Sequence, residues 1–119
     1  MAKFITLGVY TAKGLGGFVN NPSTDRKAAT SALAAAGGAK VTRYAGLRGK
    51  YDFMAEIEGT FEQAAAAAMV AVSSGAVSDF TILEDVDLNG IAETAKKMAT
   101  TYKEPCLLYT SDAADDVRG

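Results

Sequence analysis

Histidine and tryptophan are absent from the 119 residues, cysteine occurs once and proline twice. Without histidine the side chain that most often acts as a general base near neutral pH is missing, and with it the commonest zinc and haem ligand. One cysteine, Cys106, excludes an intrachain disulfide framework. No run of about 18 apolar residues is present to cross a bilayer, and "MAKFITLG" at the start has no small-residue cleavage site. These absences lead to the expectation of a soluble, cytoplasmic protein that needs no cofactor and holds no metal.

The end of the chain differs from the rest. From Cys106 the alanine-rich periodic segments give way to "CLLYTSDAADDVRG", which has no amphipathic period and no cap. Back-translated, Cys106 to Ser111 can be written TGT CTC TTA TAC ACA TCT, which resembles the transposon end used to build sequencing libraries, and Asp112 to Asp116 fit the adapter bases beyond it. We read residues 106–119 as translated adapter that displaces the native C-terminus, the alternative being a natural loose tail. The tail holds Arg118, one of 12 basic residues, and Asp112, Asp115 and Asp116 among 14 acidic ones, so residues 1–105 carry 11 of each sign. A neutral chain without a basic cluster offers nothing to displace counterions from nucleic acid, and nothing to hold a membrane surface.

Residues 1–105 are enough for one small domain with no internal linker. Four runs rich in β-branched and aromatic residues alternate with helical patterns in the order β-α-β-β-α-β-α. In "KFITLGVY", Ile5, Leu7 and Val9 alternate with Phe4, Thr6, Gly8 and Tyr10. Thr11 is placed to cap a short helical turn through Leu15, Phe18 and Val19, which "NNP" interrupts. A helix then restarts at "STDRKAATSALAAAGG", capped by Ser23 or Asn21, with Asp25 at its positive end and Gly37 or Gly38 to stop it. Val41 to Ala45 pairs with Tyr51 to Glu58 as a hairpin. Thr60 and Gln63 form a capping-box pattern ahead of an alanine-rich helix, the last strand lies around "VSDFTILED", and Leu88, Ile91, Ala95 and Met98 mark a final amphipathic helix capped by Asp87.

Two βαβ-like halves joined by a hairpin predict an α+β, ferredoxin-like split β-α-β sandwich: a four-stranded antiparallel sheet with both main helices on one face. The opposite face is then bare. Strand alternation assigns to it Phe4, Thr6, Tyr10, Thr42, Tyr44, Asp52, Met54 and Glu56. The same face of a second copy would cover it and enclose a cavity between two sheets, with Tyr10, Tyr44, Asp52, Met54 and Glu56 as its ligand-facing residues.

"MAKFITLGVYT", "NPSTDRKAA", "AAAGGAKV" and above all "GKYDFMAEIE" resemble the GYD-domain family of small bacterial and archaeal proteins, from about Ala2 to Lys97. The motif is represented by Gly49, Tyr51 and Asp52, with Lys50 inserted. The resemblance implies a ferredoxin-like fold related to the dimeric α+β barrels and implies no particular activity. Read from the residues alone, Gly49 permits a turn, Tyr51 packs beside the helices and Asp52 bonds to nearby backbone. The functional alternative makes Asp52 and the tyrosines the rim of a ligand site.

Other chemistry is thinly represented. Glu84, Asp85 and Asp87 are the one dense acidic group, at a strand-to-helix turn where capping explains Asp87. "KGLGGF" matches no phosphate-binding fingerprint, and its glycines suit a helical turn that packs closely. Two function classes remain: a non-catalytic homo-oligomeric module, with a small apolar or aromatic molecule between its sheets, or a cofactor-free monooxygenase or isomerase with Glu56 as base and Tyr10 or Tyr44 as hydrogen-bond donors. Arg43 alternates away from that cavity, which favours the first.

Overall fold

Alternating β-branched and aromatic residues at the start of the chain form strand β1, Ala2–Tyr10, in the computed structural model, which describes residues 2–102. Thr11 ends it and caps α1, Ala12–Asn20, by accepting from the Gly14 amide. Asn21 to Asp25 separate α1 from α2, Arg26–Ala36. The expected cap at Ser23 or Asn21 falls instead on Asp25, whose side chain accepts from the Ala28 amide. A carboxylate there both satisfies a free amide and meets the positive end of the helix. The chain continues through β2, Lys40–Gly46, and β3, Phe53–Gly59, to α3, Phe61–Ser73, and β4, Val77–Asp85.

All pairings are antiparallel and the sheet order is β2-β3-β1-β4, the order of the ferredoxin-like split β-α-β sandwich expected from the sequence. At the start of α3 the capping box is complete: Gln63 N donates to Thr60 Oγ1 at 3.1 Å and Thr60 N to Gln63 Oε1 at 2.9 Å. The Gln63 amide nitrogen also donates to the Gly37 carbonyl at 3.0 Å, which ties the first turn of α3 to the end of α2.

One face of the sheet packs on the helices through Phe4, Val41 and Ile57, against Ala34 of α2 and Ala64 of α3. Alanines at these contacts let both helices lie close to the strands, and Ala64 is fully buried. On β1 this inward face is the opposite of the one expected: Phe4 and Thr6 are 4% and 1% exposed, and Ile5, Leu7 and Val9 stand on the open side. Register explains the choice. Gly8 lies opposite Phe53 and leaves room for its ring, and Thr6 and Phe4 lie opposite Ala55 and Ile57, on the face whose β3 members are all buried.

Two irregularities re-aim side chains. Between Val41 and Arg43 the pairing with β3 slips by a residue, with Val41 opposite Ile57 and Arg43 opposite Glu56. Thr42 is the extra residue, and Val41 and Tyr44 therefore share the helix-facing side although they are three apart. Between Leu7 and Val9 the pairing with β4 also shifts, and Asp79 takes a φ of 45°. Beyond it Phe80 meets Phe53 edge to face at 6.0 Å.

Inter-residue contacts divide the chain after Val86. The second unit contains α4, Leu88–Thr101, on which Leu88, Ile91, Ala95 and Met98 recur at helical spacing. Asp87 occupies its N-cap position, but its side chain makes no capping hydrogen bond, unlike the cap expected there. Residues 106–119, assigned above to adapter, lie outside the described residues. Among the described residues no helix is long and apolar enough to cross a membrane.

Candidate functional site

At the end of β1 the chain places Tyr10 on the helix side of the sheet, where its ring meets Phe53 at 4.9 Å and Phe18 of α1 at 5.2 Å. Tyr44, re-aimed by the bulge in β2, stacks on Phe53 with an interplanar angle of 10° and a centroid distance of 5.8 Å. The two tyrosine hydroxyls hydrogen-bond to each other. Burial first, and then the bond to Tyr10, push the Tyr44 phenol far above its ordinary value of 10.0, with nearby Arg26 opposing. Tyr44 is therefore a neutral phenol throughout the physiological range.

These aromatics wall a cleft of about 240 Å³ between the sheet and helices α2 and α3, with Thr6, Leu33, Val70 and Phe80 among its lining. Thr6 donates to the Ala55 carbonyl at 2.9 Å, so its hydroxyl is satisfied and the floor presents no loose polar group there. Toward α1 and the Asn21–Asp25 loop the cleft adjoins a wider hollow, which shares Tyr10, Arg26, Tyr44 and Phe53 with it. Arg26 and the two tyrosines thus mark the end of the cleft that meets the hollow, and Thr6, Thr30 and Ser74 are the other polar residues of its mostly apolar lining.

Arg26, the first residue of α2, stands at that junction. Its guanidinium carbon lies 5.1 Å from the Phe18 ring centroid and 5.7 Å from that of Tyr10, within cation-π range of both. A Cβ on Gly17 would come within 3.1 Å of Arg26 Nη2, so glycine at this position lets α1 lie against the guanidinium. This is the close packing expected of the "KGLGGF" segment.

The expected ligand residues do not form one set. Tyr10 and Tyr44 face the helices and line the cleft, whereas Met54 and Glu56 lie on the open side of β3, opposite Leu7 and Ile5. Glu56 Oε1 accepts from Thr42 Oγ1 at 2.6 Å, and Arg43, expected on the helix side, is exposed opposite Glu56. The sheet therefore separates the proposed base from both phenols, and the arrangement drawn for a Glu56-dependent enzyme is not the one adopted. Asp52 borders the outer hollow, and its Oδ2 accepts the Tyr10 amide hydrogen at 2.9 Å, the backbone bond expected from the motif. Gly49 takes a φ of 134°, as the turn requires. Tyr51 departs from expectation: its hydroxyl meets Thr81 Oγ1 at 3.2 Å, and Thr81 pairs with Leu7 on the side away from the helices.

Arg26, Phe53 and Phe80 were not singled out by sequence reasoning. Arg26 reads as an ordinary first-turn residue, and its role depends on which side of α2 faces Tyr10. Among the described residues no group of three or more acidic or sulfur side chains is placed to hold a metal ion. No curated protein shows significant similarity to the chain. The family model of the GYD domain matches residues 4–100, and the chain belongs to the GYD-domain family.

Proposed function

We propose that this GYD domain is a non-catalytic binding module that holds a small apolar or aromatic molecule between its own sheet and helices, and that it pairs with a second copy through the open face of the sheet. The observation that carries the binding reading is the mostly apolar cleft of about 240 Å³ in which Arg26, Tyr10 and Tyr44 converge at one end. Such a space suits a one- or two-ring ligand with a single polar end. Its aromatic walls pack against one another, so the site is largely formed before a ligand arrives, which lowers the ordering cost of binding.

The pairing reading rests on the open face itself, where Ile5 and Leu7 of β1 lie beside Met54 of β3 and Leu83 of β4. Thr42, Glu56 and Thr81 give it polar positions. A half-apolar sheet surface of this kind is most simply covered by the same surface of another subunit.

Native mass spectrometry of freshly purified protein tests both parts, since it reports subunit number and any retained small molecule. Ala71 of α3 lines the cleft, and the expected result is a dimer with a ligand that is lost in Ala71→Phe, which fills the cleft, and kept in Glu56→Gln on the other side of the sheet. Retention in Ala71→Phe with loss in Glu56→Gln would place the ligand on the open face and overturn the reading.

A further inference from the structure

The polar end of the cleft contains donors that meet no acceptor among the described residues. Arg26 Nε is buried and has no hydrogen-bond partner among the described residues. Leaving an ionised donor unmet away from water is costly, and native structures avoid it unless another group arrives. The two carboxylates that border the hollow are each engaged by backbone: Asp25 Oδ1 accepts from Ala28 N at 3.0 Å and Asp52 Oδ2 from Tyr10 N at 2.9 Å. The phenol pair adds a second donor. One hydroxyl donates to the other, so the one that accepts keeps its own O–H hydrogen free.

Two unmet donors, one of them cationic, at the end of a mostly apolar space select a ligand whose polar end offers acceptors only. A carboxylate fits this pattern, with two oxygens on one carbon and a single negative charge to match a single guanidinium. A phosphate dianion would call for further cations, and Lys27, which lines only the outer hollow, is the one other cation bordering either space among the described residues. We propose that the cleft binds a small aromatic or aliphatic carboxylic acid, its carboxylate accepting from Arg26 and from the free phenol hydrogen, its hydrocarbon body against Leu33, Phe53 and Phe80. This rests on the binding reading above and names the ligand class.

The test compares 1-naphthoate with its neutral counterpart 1-naphthalenemethanol by isothermal titration against the full chain, in a buffer free of carboxylates. The wild-type protein should bind the acid about tenfold or more tightly than the alcohol, as expected for a charge-assisted pair in a dry site. In Arg26→Gln the preference should vanish while the alcohol still binds. Arg26→Lys, which keeps the charge but loses the Nε–H, should retain part of it, and Tyr44→Phe should lower it a few-fold. Equal binding of acid and alcohol by the wild-type protein overturns the carboxylate assignment and leaves the cleft reading standing, whether or not any variant folds. Preference that survives in Arg26→Gln overturns it too. If neither compound binds, both readings fall.

Discussion

Asp52 ties the start of β3 to the end of β1, its Oδ2 accepting the backbone N–H of Tyr10 at 2.9 Å. A second bond runs the other way, from the Asp52 amide to the Gly8 carbonyl at 2.8 Å. The family motif thus fixes the strand ends from which Tyr10 and Phe53 project into the cleft.

Removing the carboxylate should therefore loosen the site through the backbone. Asp52→Ala leaves a part-buried amide unmet and should cost about 1–3 kcal/mol in chemical denaturation. Asp52→Asn keeps an acceptor and should cost less. An Asp52→Ala protein as stable as wild type would show that this bond does not organise the strand ends.

Tyr44 makes a prediction at alkaline pH. Its phenol ionises at the ordinary value of 10.0 in the unfolded chain and well above that when folded, so the unfolded state releases the proton first. Its contribution to stability is complete below about pH 10 and falls as pH rises toward the folded value. Tyr44→Phe should flatten the loss of stability above that pH, followed by denaturant melts at a series of pH values. An unchanged alkaline slope would mean that Tyr44 is not held neutral by burial.

On the open face Leu7 and Met54 are paired in register on adjacent strands. Leu7→Asp and Met54→Asp each place like charges against one another across a two-fold interface, and each should shift the protein from dimer to monomer in sedimentation velocity. A wild-type protein that sediments as a monomer at micromolar concentration would remove the pairing reading.

Much of the fold was legible because each element carries its own signal: the Thr60–Gln63 capping box, the turn at Gly49, and the alternation in β1 and β3 that yields two faces. The sheet order follows from two βαβ-like halves and a hairpin. What alternation does not supply is which face turns inward. Phe4, Thr6 and Tyr10 look as suited to an open surface as Ile5, Leu7 and Val9 until the pairing with β3 sets Gly8 against Phe53. The side of the sheet that Tyr44 faces was hidden for a different reason. Strict alternation puts Tyr44 with Thr42, and only the extra residue between Val41 and Arg43 turns it toward Phe53. Arg26 carried no signal at all, because a lone arginine at a helix start is ordinarily solvated.

The binding reading puts the ligand between the sheet and the helices of a single chain. The most direct test is heteronuclear NMR of the full chain titrated with 1-naphthalenemethanol, a neutral probe whose binding does not depend on the carboxylate assignment. Shift changes should concentrate at Tyr10, Leu33, Phe53 and Phe80, with Leu7, Met54 and Leu83 unaffected. Changes confined to Leu7, Met54 and Leu83 would place the site on the open face of the sheet and overturn a cleft site.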